Sequence, residues 1–140
     1  LPHMARDGQQ MADIQRGGYI LRDCDGDPEA IIIATGSEVE IAMNAAEELS
    51  DRKVRVVSMP CVERFEAQDA AYREKVLPTS CRNRVSVEAG VTDYWARYIG
   101  LDGKAVGIDT FGESAPGGDL YEHFGLTTPK VVEAVKSVLA

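Results

Sequence analysis

Histidine is nearly absent: His3 and His123 are the two in 140 residues, too few and too far apart for a histidine-based zinc site. Cysteine is sparse as well. Cys24, Cys61 and Cys81 are odd in number and widely spaced, which suits reduced thiols in a cytoplasmic protein better than a disulfide framework. Positive charge is in deficit, with 15 Lys+Arg against 23 Asp+Glu and a net charge of −8. Nucleic acids and anionic membranes need a basic face that displaces counterions, so neither is expected as a partner. The longest apolar run, Ala30-Ile31-Ile32-Ile33-Ala34, falls far short of the roughly 20 residues that span a bilayer. Leu1 to Arg6 contains no apolar stretch of the kind a secretory signal needs, and a start at leucine reads as a cut inside a longer protein. A glycine dinucleotide fingerprint, a P-loop lysine, a Ser-His-Asp spacing and a metal-ligand box are all missing.

What is present is ordinary globular material, 44% hydrophobic and 27% charged, at a length that makes one domain with a core of its own. Residues 1–18 are polar, of poor periodicity and closed by Gly17-Gly18, so they read as a linker or docking arm, with the domain proper over 19–140. Tyr19 to Asp23 and Glu29 to Ala34 read as strands. The Cys24-Asp25-Gly26-Asp27-Pro28 stretch between them reads as a tight hairpin turn that sets them antiparallel. Ile31-Ile32-Ile33 is apolar and β-branched throughout, as in a strand covered on both faces.

The pattern then alternates. Ser37 and Glu40 have capping-box spacing, opening a helix with the stripe Val39, Ala42, Met43, Ala46 and Leu49. Val54 to Ser58 is a strand and Glu66 to Leu77 a helix stopped before Pro78. Arg84 to Ala89 is a strand, followed by a short helix capped by Thr92, carrying Trp95 and Ile99 and ended by Gly100. Lys104 to Asp109 is the last strand. Leu120 and Phe124 share a helical turn closed by Gly125, and Thr128 caps a final helix with Pro129 in its first turn and Val131, Val132, Val135, Val138 and Leu139 in one stripe. Strands separated by helices pair in parallel through right-handed crossovers. The expected fold is α/β, a three-layer α/β/α sandwich around a mostly parallel sheet of about five strands with one antiparallel edge strand.

Candidate chemistry is thin. Thr35, Gly36 and Ser37 lie between a strand end and a helix start, where backbone N–H groups can hold an anion, although an ordinary capped βα turn accounts for them as well. Asp23-Cys24-Asp25-Gly26-Asp27 alternates carboxylates like a calcium loop but puts Pro28 where that loop requires glycine and Ala34 where it requires glutamate. Cys81 lies near Arg82 and Arg84, which favour a thiolate, yet no histidine neighbours it or Cys61 in sequence, so both read as incidental thiols. Glu88 and Asp109 end successive strands where open α/β sheets bind ligands. Tyr94, Trp95, Tyr98 and Phe111 form an aromatic set suited to core or interface. On these residues alone the chain is an acidic α/β domain, a binding or assembly module rather than a complete enzyme.

Several strings taken together are more specific: Leu1-Pro2, Arg16-Gly17-Gly18-Tyr19-Ile20-Leu21, Ile33-Ala34-Thr35-Gly36-Ser37-Glu38-Val39, Ser58-Met59-Pro60, Glu63-Arg64-Phe65, Val87-Glu88-Ala89-Gly90, Asp93-Tyr94-Trp95 and Phe111-Gly112-Glu113-Ser114-Ala115-Pro116. With these the chain resembles, from Leu1 to Ala140, the C-terminal domain of transketolases. The resemblance implies a homodimeric cytoplasmic parent that moves a two-carbon ketol unit between sugar phosphates with thiamine diphosphate and a divalent cation, Mg or Ca. It also implies that the cofactor, the metal and the catalytic residues belong to the missing N-terminal domains. That family's Gly-Asp-Gly cofactor motif is absent, Asp25-Gly26-Asp27 having the reverse order, so no catalytic, cofactor or metal residue carries over. The domain's own role is expected to be structural, with Tyr94, Trp95, Phe111, Glu113 and Ser114 facing the missing domains or the partner subunit. Related thiamine enzymes, deoxyxylulose-phosphate synthase and the β part of pyruvate dehydrogenase, share this domain but fit the last two strings less well. A stand-alone regulatory module binding a small anion at Thr35 to Ser37 is the alternative of a different class.

Overall fold

The computed structural model describes residues 14–36, 38–88, 96–100, 102–107 and 127–140. Five strands form one sheet in the order β1-β3-β2-β4-β5: β1 (Tyr19–Arg22), β2 (Ala30–Ala34), β3 (Val54–Ser58), β4 (Arg84–Glu88) and β5 (Lys104–Gly107). β2 pairs in parallel with β3 and β4, β4 in parallel with β5, and β1 antiparallel with β3 at the edge. The helices are α1 (Glu38–Glu48), α2 (Val62–Glu66), α3 (Ala70–Val76), α4 (Ala96–Ile99) and α5 (Thr128–Leu139). This is the three-layer α/β arrangement that the alternating pattern implies.

β2 explains the layering. All five of its residues are 0% exposed, and successive side chains of a strand point to opposite faces. Ala30, Ile32 and Ala34 join Val54, Val56, Val85 and Val87 in a core covered by α1 and α5, through Val39, Ala42, Ala46, Val131 and Val135. Ile31 and Ile33 join Val57 in a second core, covered by Phe65 of α2, Tyr72 and Val76 of α3 and Tyr98 of α4. In α1, Ala45 is buried and Met43 only half-buried, a small rotation of the expected stripe.

Four expectations change. β1 and β2 are not a hairpin: β3 lies between them, and residues 23–29 cross its start. Their opposite directions survive, but a connection of this length easily spans two strand spacings, about 10 Å. It is pinned as it crosses, since the Glu29 and Ala30 N–H groups both donate to the Lys53 carbonyl, at 2.7 and 3.2 Å. The helix expected over Glu66 to Leu77 starts later, as α3, and a separate helix, α2, which shares only Glu66 with that range, precedes it. α2 begins directly after Cys61, and α3 starts afresh at Asp69, whose carboxylate accepts from the Tyr72 N–H at 2.8 Å. Such a carboxylate cap satisfies one of the donors a helix start leaves over. The N-cap of α5 is Thr127 rather than Thr128, and its side chain makes no capping hydrogen bond. Finally, Gly17 and Gly18, grouped with the arm from sequence, are buried against the domain. Thr92, Trp95, Asp109, Leu120, Phe124 and Gly125 lie outside the described residues.

Because β2 touches both cores, truncation at its centre has no route to solvent. Ile32→Ala is expected to destabilise the domain by about 3 kcal/mol and Ile32→Val by about 1 kcal/mol in urea unfolding. A loss under about 1 kcal/mol for the alanine variant would show that the site collapses around the missing atoms.

Candidate functional site

Open α/β sheets bind ligands outside the C-terminal strand ends, between neighbours whose outgoing helices leave on opposite faces. β2 and β4 are such neighbours, paired through Ala34 and Val87, with α1 leaving β2 on one face and α4 leaving β4 on the other. Thr35 and Gly36 form the lip of this crevice, with Gly36 at φ +60°. Ser37 lies outside the described residues.

The turn is closed on itself. The Glu38 N–H donates to the Thr35 carbonyl at 3.2 Å and the Val39 N–H to the Gly36 carbonyl at 3.4 Å, which takes up donors that a bound anion would use. Glu38 is 4% exposed, and its Oε2 lies 3.4 Å from the point where a Cβ on Gly36 would sit. A carboxylate at a helix N-terminus complements the macrodipole and repels a second anion. Thr35 and Gly36 thus sit at the strand end in a setting that disfavours anion binding. β4 ends at Glu88, paired with Gly107 of β5. The Glu88 side chain and Asp109, the carboxylate expected beside it, lie outside the described residues, as do Tyr94, Trp95, Phe111, Glu113 and Ser114.

The opposite end of the sheet holds an arrangement that sequence reasoning missed. Ile31 pairs with Arg55 on β3 and with Arg84 on β4, so two arginines flank it in one row beneath α3. Arg55 is 8% exposed. Its Nε donates to Asp23 Oδ1 at 2.9 Å, and its Nη1 donates to the carbonyls of Lys75 and Val76 at 3.0 and 3.2 Å. Arg84 donates to the carbonyls of Leu77, Pro78, Cys81 and Tyr98 at 2.8–3.2 Å. Both guanidinium groups thus neutralise the C-terminal carbonyls of α3, where cations are favoured. The available signal was an arginine in each of two valine-rich strands, within Val54-Arg55-Val56-Val57 and at the head of Arg84-Val85-Ser86-Val87.

This row also decides the fate of two sequence candidates. Asp23 gives both carboxylate oxygens to Arg55, and among the described residues no group of three or more His, Cys, Asp or Glu converges to hold a metal ion. Cys81 is buried, and burial pushes its thiol up despite the opposing pull of Arg84. Burial also pulls Arg84 down from its ordinary value. Cys61 is half-buried, with its Sγ 3.5 Å from Glu63 Oε2. The Glu63 carboxylate is thus the group beside the Cys61 thiol, while Cys81 has arginines rather than a base beside it among the described contacts.

Comparison with known proteins follows the same outline. A model of the transketolase-like TK C-terminal domain matches residues 17–127. The chain is similar to Transketolase 1 of Vibrio vulnificus strain YJ016, 54% identical over 142 aligned residues that take in 100% of this chain and 21% of the relative. Among solved structures, transketolase from Leishmania mexicana superposes with a TM-score of 0.85 at 42% identity, over 92% of this chain and 19% of that one. Transketolase from Campylobacter jejuni does so with a TM-score of 0.78 at 35% identity, over 89% and 19%. The chain spans about a fifth of the length of the curated relatives it matches.

Two outcomes test this site. Titration with inorganic phosphate should leave the amide resonances of Gly36, Glu38 and Val39 in place; saturable shifts confined to them would restore an anion site. In native alkylation with iodoacetamide, Cys81 should be modified last of the three cysteines, because its thiol is both covered and kept protonated; first or equal labelling would contradict the burial argument.

Proposed function

The chain belongs to the transketolase C-terminal domain family, and from that premise we propose that it is the C-terminal domain of a longer, cytoplasmic, homodimeric transketolase. The parent transfers a two-carbon ketol unit between sugar phosphates. The observation that carries this reading is the 54% identity across the whole chain at only 21% of the relative's length. Relatives of this similarity are whole transketolases, of which this chain corresponds to one part.

Thiamine diphosphate, with a divalent cation, supplies the electron sink for the ketol carbanion when bound. The residues of this chain do not fit that group. Asp25-Gly26-Asp27 is not the Gly-Asp-Gly on which the family's cofactor motif opens, and the neighbouring Asp23 is committed to Arg55. At the strand ends the first-turn donors of α1 close on Thr35 and Gly36. No catalytic step is assigned to the domain.

Its role is assembly, and the polar groups of Arg55, Tyr72 and Arg84 hold its own elements together. Tyr94, Trp95, Phe111, Glu113 and Ser114 are the residues we place against the N-terminal domains or the partner subunit. Tyrosine and tryptophan suit such a surface, being large, stiff and able to keep a polar tip hydrated.

In a ketol-transfer assay with thiamine diphosphate and Mg²⁺, the 140-residue chain alone is expected to be inactive and the full-length polypeptide active. Turnover by the chain alone would overturn the assembly role. Trp95 is the only tryptophan in the chain, so its emission reports directly on the proposed surface. Adding the missing domains should shift that emission to shorter wavelength, whereas an unchanged spectrum would remove Trp95 from the interface.

A further inference from the structure

A Gly-Gly pair at the edge of a domain reads as a flexible linker, yet Gly17 and Gly18 are both buried. A Cβ on Gly17 would meet the Cys61 carbonyl oxygen at 2.2 Å and the Phe65 nitrogen at 2.5 Å, and the residue has φ +87°. On Gly18 a Cβ would meet Met59 Sδ at 2.5 Å and Phe65 Cδ1 at 2.8 Å. Glycine stands at both positions because the chain is pressed against α2, and at Gly17 also because the backbone is left-handed.

The same stretch is held by polar contacts. The Gly17 carbonyl accepts from the Cys61 N–H at 2.9 Å, and the Gly17 N–H donates to the Ile14 carbonyl at 3.1 Å. The Gly18 carbonyl accepts a buried hydrogen bond from the Tyr72 hydroxyl at 2.8 Å. The Arg16 guanidinium lies 4.6 Å from the centroid of the same tyrosine ring, within cation–π range. Phe65 meets that ring edge to face at 6.3 Å. Tyr72 is 7% exposed and engages the entering chain with both its ring face and its hydroxyl.

We propose that Arg16-Gly17-Gly18 is a clamp rather than a hinge. It fixes the direction in which the polypeptide enters the domain, with Tyr72 as the positioning residue, so that reorientation of the domain against preceding chain does not occur at the glycine pair. Without the Tyr72 hydroxyl the Gly18 carbonyl is buried and loses its donor, and without the ring Arg16 loses its platform. The clamp rests on contacts within residues 14–72 and stands whichever parent enzyme carries the domain.

The test is cleavage by trypsin after Arg16 in the full-length polypeptide, followed by mass spectrometry, with amide exchange at Cys61 and across β2 measured in parallel. In the native protein the Arg16–Gly17 bond should be cut far more slowly than in a short peptide of the same sequence. Tyr72→Phe should accelerate that cleavage and Cys61 exchange by about tenfold, the cost of a buried carbonyl left unpaired, while β2 exchange stays as it was. Gly18→Ala, which pushes from the other side, should have the same local effect. Cleavage at the peptide's rate in the native protein would overturn the clamp. So would Tyr72→Phe leaving both readouts unchanged, or raising β2 exchange equally, since either outcome would make Tyr72 an ordinary core residue.

Discussion

The complete burial of β2 is the constraint from which the rest of the domain follows. A strand with every residue at 0% exposure has to be covered on both faces and paired on both edges. Parallel neighbours, which are joined by crossover helices, meet both demands at once. α1 and α5 close one face, and α2, α3 and α4 close the other. β1, which precedes β2 in the chain, is displaced to the sheet edge because β3 and β4 take both sides of β2.

The cost of that arrangement appears at the base of the sheet. Helices that pack flat on a buried strand end over apolar surface, and their last carbonyls need donors that water does not supply. Arg55 and Arg84, either side of Ile31, provide them. Arginine suits the task because its planar fork carries five donors and reaches several carbonyls at once. Arg55 also reaches Asp23, which ties the β1–β2 connection down as it crosses β3. Held by two arginines at its C-terminus and capped by Asp69 at its N-terminus, α3 is a rigid platform. Tyr72 stands on that platform and grips the entering chain at Gly18.

Arg55 and Arg84 turn their charge inward, onto backbone carbonyls. The net charge of −8 describes the surface as a whole. Three arginines, Arg16, Arg55 and Arg84, each act on a ring or on backbone carbonyls, and Glu38 covers its own helix start. Groups that in another α/β protein would face a ligand are here used to close turns and helix ends. That economy suits the assembly role proposed for the domain.

Much of this was legible from residue order. The apolar β-branched run of β2, the Val-rich stripe of α5 and the strand–helix alternation each depend on neighbours a few positions apart, where periodicity reports directly on burial. The strands expected over Val54 to Ser58 and Arg84 to Ala89 are found for the same reason, the second described over Arg84–Glu88. The position of β1 was not legible, because a short connection constrains the direction of two strands without saying which strand lies between them. The start of α3 at Asp69 was not singled out although its cap is local, Asp69 accepting from the Tyr72 N–H three residues on, because apolar periodicity alone does not mark a cap. At the Thr35 turn, sequence supplied the residues, and only the structure showed that Glu38 folds over them. Arg55 and Asp23 are far apart in sequence, as are Gly18 and Tyr72, and no local pattern links either pair. What sequence determined by itself was which segments are strands and helices and which face of each is apolar, since those follow from local spacing. What only tertiary structure decided was strand order, the arginine row and the clamp at Gly17-Gly18, since each is a contact between distant residues that exists only after the two cores have closed.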